Sequence, residues 1–242
     1  MIGIILHDGL GIGDKIQFTH IPENIYYFTG QKVFDVSKSW VFDSNPFIER
    51  GSNNVSQAID LWELSHNFPK DGFRSHAERF FILYNKIFGT NYHNPILRHP
   101  RLYKYEKDKI AQNRVLVHTT GKSEKTPLQD QVIQHIEDVY KNYEVIQIGG
   151  ISDKKTPFIN KLGMSFWETV ELIATSAIFI GVNSGMMNIA NCFPRVHKKI
   201  VLASNFDKFL PMGYDNCWFD HGVTYFNPSK HDIGATFSFL KI

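Results

Sequence analysis

Short apolar runs, each cut off by glycine or polar residues, alternate along this chain with stretches of helical spacing. Ile2–Leu6 predicts a buried first strand, and His7–Asp14 a glycine-rich turn after it. Lys15–His20 then predicts the first turn of a helix, with Pro22 as a kink or stop. Lys32–Val36 predicts a second strand, while Ser37–Asn54 carries turn residues without a clean period. Val55, Ile59 and Trp62 stand at helical spacing, which predicts a helix over Val55–His66. Ser75 and Glu78 form a capping box for a helix over Ser75–Phe88, closed by Gly89. Asn91–Asp108, with Pro95 and Pro100 and little periodicity, reads as a connection, so the expected domains are 1–105 and 106–242.

The second half is more regular. Arg114–His118 predicts a strand, Thr119–Lys125 a polar loop, and Thr126, Pro127 and Gln129 the start of a helix through Tyr140. Glu144–Ile148 predicts a strand ending at Gly149-Gly150. Ser165 with Glu168 caps a helix whose buried face takes Phe166, Val170, Ile173 and Ala177. Ile178–Val182 predicts a buried strand, Asn183-Ser184-Gly185 a turn into a helix, and Lys199–Ala203 a further strand. Strand and helix alternating in this way give an α/β fold with parallel sheets covered on both faces.

Hydrophobic residues at 43% and charged residues at 21% are ordinary for a soluble globular chain, and 242 residues suffice for one large domain or two small ones. A net charge of +2 is too small to make nucleic acid the main partner. Two cysteines, Cys192 and Cys217, outside any closely spaced ligand set fit a reduced, cytoplasmic protein. The opening MIGIILHDG is too brief for a secretory signal, and no apolar run nears the roughly 20 residues that span a bilayer. The Tyr214–Phe226 segment, rich in aromatics, reads as core.

Candidate chemistry gathers in two loops. Backbone N–H groups at the start of the helix after Val182, with the positive end of its dipole, suit an anion such as phosphate; Ser184 adds a hydroxyl and Gly185 allows close approach. The Asp8–Asp14 loop misses G-x-G-x-x-G, and no G-K-[ST] follows it. Its D-G-L-G-I-G (Asp8–Gly13) resembles the first motif of S-adenosylmethionine-dependent methyltransferases, a rival that explains only this loop. No D-x-D pair, H-x-x-x-H, H-E-x-x-H or G-x-S-x-G occurs, so no metal site is expected and no serine nucleophile elbow is present.

Both loops together resemble glycosyltransferase family 9, the heptosyltransferase-like enzymes. The likeness rests on G-I-G-D-K-I-Q-F-T-H-I-P (Gly11–Pro22), His118-Thr119-Thr120 with Lys125, Gly149-Gly150, the capped helix at Ser165, and G-V-N-S-G-M-M-N-I-A (Gly181–Ala190), in family order. The resemblance implies a GT-B architecture: two Rossmann-like domains with parallel sheets facing across a cleft, the N-terminal one reduced. It implies Asp14 as general base, with Gly11 and Gly13 in an acceptor-side loop. It implies donor contacts from Thr119, Thr120, Lys125, Asn183, Ser184, Gly185, Met186 and Asn188, with Lys122 an alternative to Lys125. Asp153 after the glycine pair is a candidate for a ribose hydroxyl. Asn183 and Asn188 stand where the family often has Asp and His, removing two titratable groups.

The implied activity is metal-independent transfer of a sugar, with inversion, from a nucleoside-diphosphate-sugar to a glycan or lipid-linked hydroxyl, with no cofactor and no nucleic acid partner. Such an acceptor would place a cytoplasmic enzyme in peripheral contact with the inner face of a membrane. A non-catalytic nucleotide-sugar-binding protein of the same fold is the second rival, motivated by Asn183 and Asn188.

Overall fold

The computed structural model of the chain describes residues 2–50, 55–66, 85–86, 89–91, 100–106, 109–121, 128–182, 184–196, 198–202 and 223–226. The chain divides into two compact units, Met1–Lys104 and Tyr105–Lys208, the second joined by the later strand Val223–Phe226. Each is built on its own parallel sheet.

In the first unit the described elements are β1 (Ile2–Ile5), α1 (Ile12–Gln17), α2 (Ile21–Thr29), β2 (Val33–Asp35), β3 (Ile48–Glu49), β4 (Gln57–Asp60) and α3 (Leu61–His66). The strand order is β3-β2-β1-β4. Ile4 and Leu6 carry β1 through the core, and α1 and α2 bury Ile16, Ile21 and Ile25. Gly3 is small because its neighbours close in: a Cβ there would lie 2.7 Å from Val55 Cγ1 and 2.8 Å from Val36 Cγ2.

The second unit contains β5 (Ala111–His118), α4 (Asp130–Val139), β6 (Glu144–Gly149), β7 (Ile159–Leu162), α5 (Phe166–Ala174), β8 (Ser176–Val182), α6 (Gly185–Asn191), β9 (Lys198–Leu202) and β10 (Val223–Phe226). Its order is β10-β9-β8-β5-β6-β7, every neighbour parallel. Val115, Val117, Ile178, Ile180 and Val182 pack into one core cluster with Val132, Ile133 and Ile136 of α4. Leu116 and its register partners Phe179 and Ile146 alternate to the other face and are equally buried. Both faces are therefore apolar and covered, which is why β8 is buried at all seven positions. The fold is α/β, with two Rossmann-like parallel sheets.

Several elements differ from the sequence reading. Helix α1 starts at Ile12, three residues before the expected Lys15, and Gly11 is its N-cap. Pro22 stops nothing: it opens α2, in the first turn, where a missing N–H breaks no helical bond. Val55–His66 is not one helix. Gln57–Asp60 pairs with β1 from Ile2↔Gln57 to Ile5↔Asp60, and the helix begins only at Leu61; strand pairing overrides a local period that Val55, Ile59 and Trp62 happened to satisfy.

A 3-10 turn at Trp40–Phe42 and the strand β3 break the stretch read as irregular. Strand β7 and strand β10, the latter within the segment read as aromatic core, were not foreseen. Gln129 is the N-cap of α4, one residue before its start at Asp130; Thr126 and Pro127 lie outside the described residues. Ala177 belongs to β8, because α5 ends at Ala174. The Ser165–Glu168 box is present in full, Glu168 N donating to Ser165 Oγ at 3.3 Å and Ser165 N to Glu168 Oε2 at 3.0 Å. Of the expected Ser75–Phe88 helix, the structure describes only Asn85 and Lys86, both helical.

Candidate functional site

In an open α/β sheet a ligand crevice forms outside the carboxyl ends of the strands, where successive connections diverge. In the second unit the chain runs outward from β5 to β6 and β7, then returns to lay β8 on the other side of β5. The divergence falls between β5 and β8, at their last residues, where His118 pairs in register with Gly181.

His118 needs the glycine opposite it. A Cβ at Gly181 would sit 3.1 Å from His118 Cβ, 3.2 Å from its carbonyl oxygen and 2.8 Å from Phe179 Cε1. The imidazole is 6% exposed. Burial pushes its pKa down to about 4, against the opposing pull of the Asp153 carboxylate, so the ring is uncharged at neutral pH.

His118 Nδ1 lies 3.2 Å from Ser184 Oγ. Ser184 is the N-cap of α6, in extended backbone (φ −161°, ψ 171°), yet its side chain caps no N–H. The hydroxyl is engaged by the histidine, leaving the first-turn N–H groups at Gly185, Met186 and Met187 without a side-chain acceptor from the N-cap. Asn188, one position further and 7% exposed, points a buried Oδ1 that has no hydrogen-bond partner among the described residues.

Beside this turn, the loop after β5 is fastened from within. Thr119 is 2% exposed; its carbonyl accepts from Leu128 N at 3.0 Å and its hydroxyl from Gln147 Nε2 at 3.3 Å. Gln147, fully buried in β6, also donates to the Lys154 carbonyl at 2.8 Å and accepts from Thr156 N and Oγ1, both at 2.9 Å. Thr120 is half-buried. The Asp153 carboxylate folds back over the glycine turn, accepting from Gly150 N at 3.0 Å, and Gly149 at φ +148° has no room for a side chain beneath it. Asp153 is thus engaged in its own turn. Lys125, Lys122 and Asn183 lie outside the described residues.

In the first unit the connections diverge between β1 and β4. The loop from His7 to Gly11 leaves β1 there, and Gly13 and Asp14 lie in the first turn of α1. Asp14 is half-buried, and a Cβ at Gly11 would come 2.9 Å from its Oδ2. Lys15 is 6% exposed, its Nζ 3.5 Å from Asp8 Oδ1. His7 Nε2 meets Asp60 Oδ2 at the ends of adjacent strands.

Among the described residues no group of three or more His, Cys, Asp or Glu could hold a metal ion, and no helix is long and apolar enough to cross a membrane. Sequence reasoning assigned no role to His118, Gln147 or the His7–Asp60 pair. The first two had a signal: Gln147 is the lone polar residue in an apolar run, and Gly181 stands where a strand must make room.

By sequence, no protein-family model and no curated protein matches the chain. By structure, the E. coli heptosyltransferase WaaC, solved with ADP, superposes with a TM-score of 0.67 over 99% of this chain and 99% of that one, at 13% identity. The chain has the heptosyltransferase fold. A glycosyltransferase family 9 protein from Veillonella parvula matches over 100% of this chain and 89% of that one (TM-score 0.63, 11% identity). The iron-containing dodecameric glycosyltransferase TibC of enterotoxigenic E. coli matches over 84% of this chain (TM-score 0.56, 16% identity), which spans 58% of TibC's length. Within this heptosyltransferase fold, Thr119, Thr120, Ser184, Gly185, Met186 and Asn188 follow the ends of β5 and β8, and Gly11, Gly13 and Asp14 follow β1.

Proposed function

We propose that the chain is a glycosyltransferase that passes a sugar from a nucleoside-diphosphate-sugar to a hydroxyl of a glycan or lipid-linked acceptor, with inversion and without a divalent ion. Residues 106–242 form the donor domain and 1–105 the acceptor-side domain. The observation that most supports this reading is the likeness to WaaC, solved with ADP, over nearly the whole of both chains. TibC, itself solved with ADP-D-beta-D-heptose, supports a donor of the same class.

The donor's diphosphate takes the N–H groups of Gly185 and Met186, with Ser184, Thr119 and Thr120 supplying hydroxyls and Lys125 a charge. These groups meet the negative charge that grows on the departing diphosphate, so the step needs no metal. Asn183 and Asn188 contribute neutral amides. The acceptor lies against the Gly11–Gly13 loop, and Asp14 is the candidate base for its hydroxyl.

A thermal-shift screen with ADP, GDP, UDP and CMP compounds tests donor binding, since a ligand of the folded state raises its apparent stability. Transfer assays on wild type and Asp14→Asn test catalysis: turnover lost with diphosphate binding retained supports the reading. Binding of S-adenosylmethionine with no diphosphate binding overturns it in favour of a methyltransferase. Diphosphate binding without turnover in wild type across a broad donor and acceptor panel reduces it to a binding protein.

A further inference from the structure

His118 closes β5 inside the second unit, buried between its register partners Ile148 of β6 and Gly181 of β8. Both partners are apolar, and the neighbouring Thr119 hydroxyl is taken by Gln147. Two polar groups remain for the ring. Nδ1 lies 3.2 Å from Ser184 Oγ, on the turn after β8. Among the described residues, the charge that bears on the ring is the Asp153 carboxylate, held in the turn after β6 by Gly150 N.

A hydroxyl has one proton to give and two lone pairs to receive with, so Ser184 and His118 can be joined in two ways. Either the serine donates to Nδ1 and keeps only lone pairs for other partners, or Nδ1–H donates to the serine, whose own proton then points elsewhere. An anion beside Ser184 is repelled by the first arrangement and bound by the second. A neutral imidazole has one proton, so placing it on Nδ1 strips Nε2 while the Asp153 charge still acts on the ring. The imidazolium alone carries an N–H at both nitrogens. Burial works against that cation in the protein by itself, and a second anion close by works for it.

We propose that the second unit takes up a proton as a nucleoside-diphosphate-sugar binds, and that His118 holds it, donating through Nδ1 to Ser184 so that the serine hydroxyl donates to the diphosphate. The inference rests on the sugar-transfer reading, which places Ser184 on the donor, and it adds a regulation of that site: donor affinity governed by pH. The proton comes from solvent and returns to it when the diphosphate leaves. Burial of the ring sets the threshold, since a His118 already charged at neutral pH would have no proton to gain. His118 is a positioning residue that acts on the ligand through Ser184.

The test is titration calorimetry of ADP-glucose, or of GDP-mannose or UDP-glucose if the thermal-shift screen selects that base. The diphosphate of such a sugar ester keeps its charge near neutral pH, so a proton taken up goes to the protein. Wild type, His118→Gln and Ser184→Ala are compared at pH 5.5 and 7.5 in buffers of different ionisation enthalpy. In wild type at pH 5.5 the measured enthalpy is expected to vary with the buffer in the sense of proton uptake, with binding about tenfold tighter than at pH 7.5. Both effects are expected to vanish in His118→Gln and to shrink in Ser184→Ala. Ring nitrogen chemical shifts of wild type, which need no variant, are expected to show one histidine passing from neutral to doubly protonated as the nucleotide-sugar is added at pH 5.5. Binding with a buffer-independent enthalpy and no such ring overturns the proposal and leaves the donor site standing. Uptake undiminished in His118→Gln overturns it too. Absence of binding by all three nucleotide-sugars removes the donor reading and this one together.

Discussion

Ser184 Oγ lies 3.2 Å from His118 Nδ1, and this contact ties the turn after β8 to the end of β5. It also decides what the serine does not do. An N-cap serine ordinarily accepts from an N–H of the first turn, whereas here the hydroxyl is drawn to a buried ring. Replacing His118 by Phe releases the hydroxyl to cap α6 itself, in competition with a diphosphate. ADP affinity is expected to fall about fivefold to tenfold, the scale of one hydrogen bond. The loss is expected to vanish when Ser184→Ala is already present, and titration calorimetry on the four proteins of the cycle measures it.

The same histidine gives the fold a pH dependence. Its folded value of about 4 lies below the ordinary 6.5, so between these values the unfolded chain binds more protons. The contribution is complete above pH 6.5 and is lost as pH falls through the folded value, on the order of 3 kcal/mol in all. Urea unfolding at pH 7, 5.5 and 4 is expected to show this slope in wild type and a shallower one in His118→Gln.

Gly181→Ala adds one methyl where His118 and Phe179 leave no room, the nearest atom at 2.8 Å. Since backbone as well as side chain is crowded, the expected cost is about 1–3 kcal/mol. A lower Tm, together with weakened ADP binding, checks it.

Tyr140 is 1% exposed, its ring meeting Tyr143 edge-on at 5.4 Å, and its hydroxyl has no partner among the described residues. Burial pushes its pKa up to about 12, so it does not ionise near neutrality. Tyr140→Phe keeps the ring and removes an unbonded polar atom. Stability is expected to rise by up to about 1 kcal/mol in urea unfolding, without change in ADP binding.

Much of the second unit was legible because β6, β8 and the C-terminal half of β5 are buried on both faces. Val115–Val117, Val145–Ile148 with Gln147 as its one polar member, and Ile178–Val182 are short apolar runs, and the Ser165–Glu168 box marks a helix start by its own chemistry. The first unit hid more. Gln57–Asp60 is an edge strand with a single buried apolar residue, Ile59, so nothing local opposes a helical period; only β1 makes it a strand. Strand β7 is likewise exposed along most of its length. The two loops that carry the candidate residues stood out through glycine and serine, whereas His7–Asp60 joins residues 53 apart and exists only once β1 and β4 are side by side.

Gln147 couples parts of the second unit that are distant in sequence. One buried amide serves the Thr119 hydroxyl, the Lys154 carbonyl and both donors of Thr156. The segment after β5 and the segment leading into β7 are in this way geared together, and neither can slide without dragging the other. A substitution that shifts Lys154 or Thr156 would therefore also disturb Thr119, so the two segments must change in concert.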